Sequence, residues 1–308
     1  MAMKEQGGLV EWLHQVEVAW LDRLARAAAA WDAGRRRRVG RLVAWLARDV
    51  LRVRWRHTVE ALQRHLGLDA AAAMALGRRV YDTFFENAVE QASLAYLTGE
   101  ELDARIRATG LEHLQRAHAR GCGVIIVSGH YGLWELVPPW LCRRRFNMTV
   151  VVRRQNNRAV DAWMEKMRRR DGVETTDSGY SLREILRALR QGHLLGLMSD
   201  QDAGTRGIFV RFFGEEASTV VGPATIALKT GAPVVCLVLH PGRPQPPHHL
   251  EIAPPIFPEE FPDTEAGRQA LTQAFTNRLE AWIRARPEQW FWLHRRWKTR
   301  PAGKASDS

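Results

Sequence analysis

This 308-residue sequence predicts an α/β fold: a central, mostly parallel sheet flanked by helices, preceded by an N-terminal amphipathic helical region. The prediction rests on three observations. Short, continuous apolar runs at 124–127, 148–152, 194–198 and 234–239 have the length and composition of strands buried on both faces. Segments with helical periodicity at about 158–170, 181–191 and 222–230 separate these runs, and strands alternating with helices give a largely parallel sheet. Before residue 116 the apolar residues recur at steps of three and four instead, which is a helical pattern almost throughout.

Taken in order, Leu9, Leu13, Val16, Trp20, Leu24, Ala27 and Trp31 fall on one face of a first helix, which Gly34 interrupts. A second segment holds nine Arg between positions 35 and 56, interleaved with Leu42, Val43, Trp45, Leu46, Val50, Leu51, Val53 and Trp55. A helix that is basic, aromatic and amphipathic suits a membrane interface, and it equally suits a core-facing helix with a solvated Arg face. A third helix is expected over 70–96. Residues 241–262 are rich in proline and read as a loop around an edge strand at 250–253, and 264–286 form a last amphipathic helix. The run from Trp290 to Arg300 reads as strand-like and then basic. The organisation expected is a helical, membrane-interface region over 1–115, an α/β core over 116–301 packed with it as one unit, and a disordered tail over 302–308.

Lys and Arg number 45 against 34 Asp and Glu, a net charge of +11 that calls for an anionic partner: nucleic acid, anionic lipid headgroups or an acidic carrier protein. Nucleic acid is set aside because the Gly-rich aromatic signature of an RNA-recognition sheet is missing. Cys122, Cys142 and Cys236 are odd in number and widely spaced, so neither a disulfide framework nor a zinc site is expected, and a reducing compartment follows. Glu5 and Glu11 flank the N-terminal apolar residues, so no secretory leader is expected. No window approaches the roughly 18 apolar residues of a membrane span.

The chemistry concentrates in Ser128-Gly129-His130-Tyr131-Gly132-Leu133-Trp134-Glu135, directly after a buried strand. Ligands of α/β sheets bind beyond the carboxyl ends of strands, so His130 stands where a catalytic group belongs. Gly129 and Gly132 allow a tight turn and close approach of a substrate. His130 and Glu135 are five residues apart and would not share a helix face, but they can meet if His130 lies in the loop and Glu135 in the first turn of the next helix. A carboxylate on one ring nitrogen fixes the tautomer and raises the basicity of the other, which serves to take a proton from a hydroxyl. The spacing also fits a strand-end histidine held by backbone beside an unrelated surface Glu. No metal is expected, since no third ligand accompanies the pair.

The segment resembles the His-x-x-x-x-Glu/Asp motif of the lysophospholipid acyltransferase superfamily. More narrowly, the chain resembles the bacterial lipid A biosynthesis (lauroyl and myristoyl) acyltransferases over about residues 50–301. Further motifs agree in order and spacing: Val152-Arg153-Arg154-Gln155-Asn156-Asn157, Ser199-Asp200-Gln201-Asp202, and Phe212 to Thr219 leading into Gly222-Pro223-Ala224. The last is Pro287-Glu288-Gln289-Trp290 running on to Pro301. The resemblance implies an acyl transfer without cofactor in which His130 is the general base and Glu135 its orienting partner. The donor would be an acyl carrier protein thioester, and the acceptor a hydroxyl of a lipid A precursor, or alternatively of another anionic glycolipid or a lysophospholipid, at the cytoplasmic face of the inner membrane. Arg153, Asn156, Asn157, Arg168, Asp200, Gln201, Thr219 and Pro223 would contact substrate. The oxyanion would fall to backbone N–H groups of the Gly129–Gly132 turn, to Arg153 or to Arg168. The helix start at Gly222-Pro223-Ala224, with Thr219, could hold a lipid phosphate. Asp200 would line the site or orient arginines. The pattern departs from the family at Leu133, where Asn is usual, and at Ala61-Leu62, where Asn-Leu is usual. An Arg-rich amphipathic region also replaces the more apolar anchor of many members, which suggests peripheral membrane binding.

Overall fold

The computed structural model describes residues 2–153, 157–177 and 182–301. The chain opens with helices α1 (Ala2–Ala30) and α2 (Ala33–Trp45), then a π-helical turn over Leu46–Val50, α3 (Trp55–Leu66), α4 (Ala70–Ser93) and α5 (Gly99–Arg105). Local chemistry sets these boundaries. The Asp32 side chain accepts from Arg35 N at 2.8 Å and Asp69 from Ala72 N at 2.8 Å, so each caps the helix that follows. Thr98 and Glu101 form a reciprocal capping box at the start of α5. The helix break therefore falls at the Asp32 cap, and Gly34, expected as the interruption, lies inside α2.

The core elements follow: β1 (Ile106–Thr109), α6 (Leu111–His118), β2 (Val124–Ser128), α7 (Val137–Arg143), β3 (Met148–Val152), α8 (Arg158–Arg170) and β4 (Val173–Asp177). After them come α9 (Leu182–Arg190), β5 (Leu194–Met198), β6 (Ile208–Phe212), β7 (Glu215–Thr219), α10 (Gly222–Thr230), β8 (Val234–His240), β9 (His248–Ile252) and α11 (Glu265–Ala285). Seven strands form one sheet in the order β1-β9-β8-β2-β5-β3-β4, and β6 with β7 make a separate antiparallel hairpin. Every pairing of the large sheet is parallel except β8 with β9.

Three expectations change here. Residues 106–109, read as part of a helical region, form strand β1 and pair with β9. That strand covers β9, which is therefore not an edge. The 290–300 run is a series of turns, not a strand, because its rings are drawn into the core from several directions. The tail expected over 302–308 lies outside the described residues.

The sheet separates two apolar layers. Val124 and Ile126 of β2 point into a layer with Leu136, Trp140 and Leu141, whereas Ile125 and Val127 point into one with Ala224, Ala227, Leu271 and Phe275. This strict alternation comes from the pleat. A third cluster joins α3 and α4 to Phe212, Phe213 and the terminal aromatics Trp290, Trp292 and Trp297. It ties the N-terminal helices to the sheet end that carries His130. Among the described residues, no helix is long and apolar enough to cross a membrane.

Candidate active site

Strands β2 and β5 are central neighbours and run in register, Ser128 opposite Met198. Their carboxyl ends thus release two loops side by side, and Ser199 N donates to Ser128 O at 3.1 Å. One loop carries His130 and the other Asp200. The imidazole Nδ1 lies 2.9 Å from Asp200 Oδ1, while His130 N donates to Oδ2 at 2.7 Å. Trp290 Nε1 also donates to Oδ2, at 2.9 Å. Asp200 is buried, so an ionised carboxylate survives there only because these donors replace water.

With Asp200 ionised, Nδ1 carries the ring proton and Nε2 is left as the basic nitrogen, without a hydrogen-bond partner among the described residues. Trp134, at 5.3 Å between ring centroids, and Phe291, at 6.3 Å, form apolar walls beside the ring. Burial alone would lower the His130 pKa. The Asp200 charge and hydrogen bond outweigh it, with help from the charge of Glu135, so the pKa is raised above 6.5. Asp200 is held down at about 2, because its contacts with His130 and Trp290 overcome the penalty of burial.

Glycine makes this approach possible. A Cβ on Gly129 would stand 3.1 Å from Asp200 Cβ, and one on Gly132, which has φ +58°, would strike Leu239 O at 2.0 Å. The close approach these glycines permit is therefore to the protein's own backbone and to Asp200, where a substrate was expected.

Glu135 lies in a 3-10 turn, Trp134–Leu136, that leads into α7, so loop and helix start are arranged as the spacing required. Its carboxylate nevertheless takes a different partner. Arg168 of α8 donates to it through Nη2 at 2.8 Å and Nε at 3.4 Å. A guanidinium supplies two parallel charged donors where an imidazole supplies one, so the fork holds Glu135 and the ring turns to Asp200. The backbone of Glu135 is fixed as well, its N–H donating to Gln91 Oε1 at 3.0 Å.

The sequence itself places the chain in a family. The pattern described as bacterial lipid A biosynthesis acyltransferase matches residues 18–299. The chain belongs to the bacterial lipid A biosynthesis acyltransferase family. It is 31% identical over 203 residues to a lipid A biosynthesis lauroyltransferase of Escherichia coli K12, covering 63% of this chain and 62% of that protein. A palmitoleoyltransferase of lipid A biosynthesis from the same organism is 31% identical over 213 residues, covering 66% of each chain. A phosphatidylinositol mannoside acyltransferase of Mycobacterium tuberculosis is 30% identical over 196 residues, covering 61% of this chain and 58% of that protein. The matches thus span a little under two thirds of these relatives' lengths.

The other residues the family likeness pointed to fall into distinct places. Asn157 caps α8, accepting from Ala159 N at 3.0 Å and Val160 N at 3.2 Å, and its amide reaches Glu17 of α1. Its polar atoms are thus engaged within the chain. Thr219 is fully buried and donates to Ala217 O at 3.0 Å while accepting from Arg296 Nη2, so its hydroxyl is committed too. Pro223 opens α10 as expected but is buried. Gln201 is half-buried beside Asp200, and Arg153 is exposed at the end of β3. Asn156 lies outside the described residues. Of the N–H groups expected to hold an oxyanion, His130 N goes to Asp200, Tyr131 N to Gly129 O at 2.7 Å and Gly132 N to Gln289 O at 3.0 Å. Those three are already bonded within the protein, one inside the turn and two to neighbouring segments. Leu133, in place of the usual Asn, is fully buried in the apolar layer beneath the loop.

Two features had not been foreseen. Trp290 completes the Asp200 environment from 90 residues away. His294 lies close enough to respond to the charges of His130 and Asp200, and burial lowers its pKa to about 4, so it is neutral near pH 7. Its buried Nδ1 has no partner. Their shared place in the terminal motif, Pro287 to Pro301, was the hint of either.

Proposed function

We propose that the protein transfers a fatty acyl chain from an acyl carrier protein thioester to a hydroxyl of a lipid A precursor. It would do so at the cytoplasmic face of the inner membrane, with His130 as general base. The observation that carries this reading is the 2.9 Å Asp200–His130 contact on Nδ1, which leaves Nε2 basic. In the proposed reaction Nε2 takes the proton of the acceptor hydroxyl as its oxygen attacks the thioester carbon. The tetrahedral oxyanion collapses, the C–S bond breaks, and the imidazolium returns the proton to the departing thiolate. Asp200 orients the ring and stabilises the imidazolium, the role of the third member of a catalytic triad. Glu135 acts on His130 through its charge and holds Arg168, whose Nη1 takes no part in their pair and is available to the oxyanion.

The mycobacterial relative supports a second acceptor for the same chemistry, another glycolipid. The two are separated by incubating the purified protein with acyl carrier thioesters and each acceptor class, then weighing the lipid products by mass spectrometry. An increase of one acyl group on the lipid A precursor is the expected result. No increase on any acceptor with any donor would falsify the acyl-transfer reading.

A further inference from the structure

Helix α2 and the turn after it are built unlike the rest of the molecule. Arg36, Gly40, Ala44 and Ala47, spaced as one helix face, are buried against the body, where Gly40 sits on the backbone of Glu86. The opposite face reads Arg38, Arg41, Leu42, Trp45 and Leu46 at steps of three, four, seven and eight, and all are exposed. The stripe is thus basic at its N-terminal end and apolar at its C-terminal end. Beyond it Val50, Leu51 and Val53 are also exposed, Leu51 at 63% and Trp45 at 51%.

The apolar end is held rigidly. Arg52 and Arg54 adopt left-handed φ of +50° and +52°, a conformation unfavourable for side chains of this kind. The bonds that fix the turn include Val53 N to Ala47 O at 2.8 Å, Tyr81 OH to Val53 O, and Arg54 Nη1 to Leu293 O at 2.8 Å. The last reaches the segment carrying His294, whose carbonyl also receives His57 Nε2 at 3.3 Å. A strained turn that displays apolar side chains to water, braced against the catalytic end of the sheet, has no explanation in the fold's own packing.

The basic end borders a cleft of about 610 Å³ lined by Gly34, Arg37, Arg38, Arg41, Arg243 and Pro244. Arg41 and Arg243 share the buried Glu86, at 2.7 and 2.5 Å. Asp32 is occupied in capping α2, and Asp82, whose charge also reaches Arg41, is paired with Arg48 at 3.0 Å. Arg37 and Arg38 make no ion pair among the described residues, so cationic charge exceeds anionic charge in the cleft.

We propose that this face docks on a bilayer containing anionic phospholipid, with Trp45, Leu46, Val50, Leu51 and Val53 entering the acyl layer and the Arg37–Arg38–Arg41–Arg243 cleft holding a lipid phosphate. Charge selects this occupant. A second copy would set the arginines against themselves, and a nucleic acid would leave the apolar end in water. Because Arg54 links the turn to the His294 segment, docking would bring the crevice to the lipid surface. The inference deepens the membrane part of the preceding proposal and is read without turnover, so the two can fail separately.

The test is flotation of the full chain with phosphatidylcholine vesicles, alone or with about 30% phosphatidylglycerol. The anionic vesicles should bind at least about tenfold more tightly, and added NaCl should weaken them. Trp45→Ser with Leu51→Ser should lower that binding about tenfold or more, since both side chains are exposed and the fold does not need them. Arg37→Glu with Arg38→Glu should abolish the preference for phosphatidylglycerol. Equal binding to both vesicles, or unchanged binding by either double variant, overturns the proposal. So does a dimer that the Trp45/Leu51 variant dissolves while vesicle binding stays the same, which would make a second copy the occupant. Inorganic phosphate should compete no better than chloride of equal ionic strength; selective competition would make free phosphate the ligand and overturn the lipid assignment.

Discussion

Residues 38–53 and 290–300 draw on the same residue types, Trp, Leu and Arg, and end in opposite environments. In the C-terminal segment Trp290 is 2% exposed, Trp292 0% and Arg296 1%. Trp290 and Trp292 meet edge to face at 4.8 Å, and Phe212 and Phe213 enclose them. Arg296 is buried because its guanidinium finds Ser218 O and Thr219 Oγ1. Burial lowers its pKa to about 10, opposed by the charges of Asp200 and Asp202. In the N-terminal segment only one face finds partners, and Arg38, Trp45 and Leu51 remain in solvent. Composition supplies the capacity for burial, and the presence of a complementary surface decides whether it is used.

Four substitutions would break or sharpen this contrast. The largest effect is expected deep in the site. Asp200→Asn should lower kcat/KM by about 10²–10⁴, as expected when a histidine loses its orienting carboxylate. A general base must be deprotonated, so wild-type kcat/KM should rise with pH through a value above 6.5. Asp200→Asn should move that rise to lower pH, and an unmoved profile would remove Asp200 as the partner. Asp200 also bears on stability. Its pKa is lowered in the fold, so its contribution is present above the unfolded value near 3.8 and is lost as pH falls through about 2.

Arg296→Met should cost about 3 kcal/mol in chemical denaturation, since Ser218 O and Thr219 lose a buried charged donor. A loss under about 1 kcal/mol would mean that the aromatic cluster alone holds the segment. Glu135→Gln should reduce kcat/KM about tenfold to a hundredfold with a smaller shift of the pH profile, because it acts on His130 by charge and through Arg168. A pH shift larger than that of Asp200→Asn would reverse the ranking of the two acids. Trp45→Ser should leave stability within about 0.5 kcal/mol, and a larger loss would show that this ring packs within the fold.

Much of this was legible in advance. The strands at 148–152 and 194–198 and the helices at 158–170 and 222–230 match, because apolar runs and helical periodicity are local signals. The four residues of β1 carry no such signal, and their strand character comes from pairing with β9, some 140 positions away. His130 and Glu135 stood out by their place after a strand. The Asp200 contact could not be read, since it depends on β5 lying beside β2 although β3 and β4 intervene in sequence.

By itself, then, the sequence determined an α/β chain with a histidine at a strand end, a charged N-terminal region and a family membership that its motifs carry. The tertiary structure decided which carboxylate meets the imidazole, which acceptors take the N–H groups of the Gly129–Gly132 turn, and which of two Trp- and Arg-rich segments faces water. Hydrophobic period and capping act over a few residues and are written into the chain. Hydrogen-bond partners and burial depend on which strands become neighbours, and only the folded sheet fixes that.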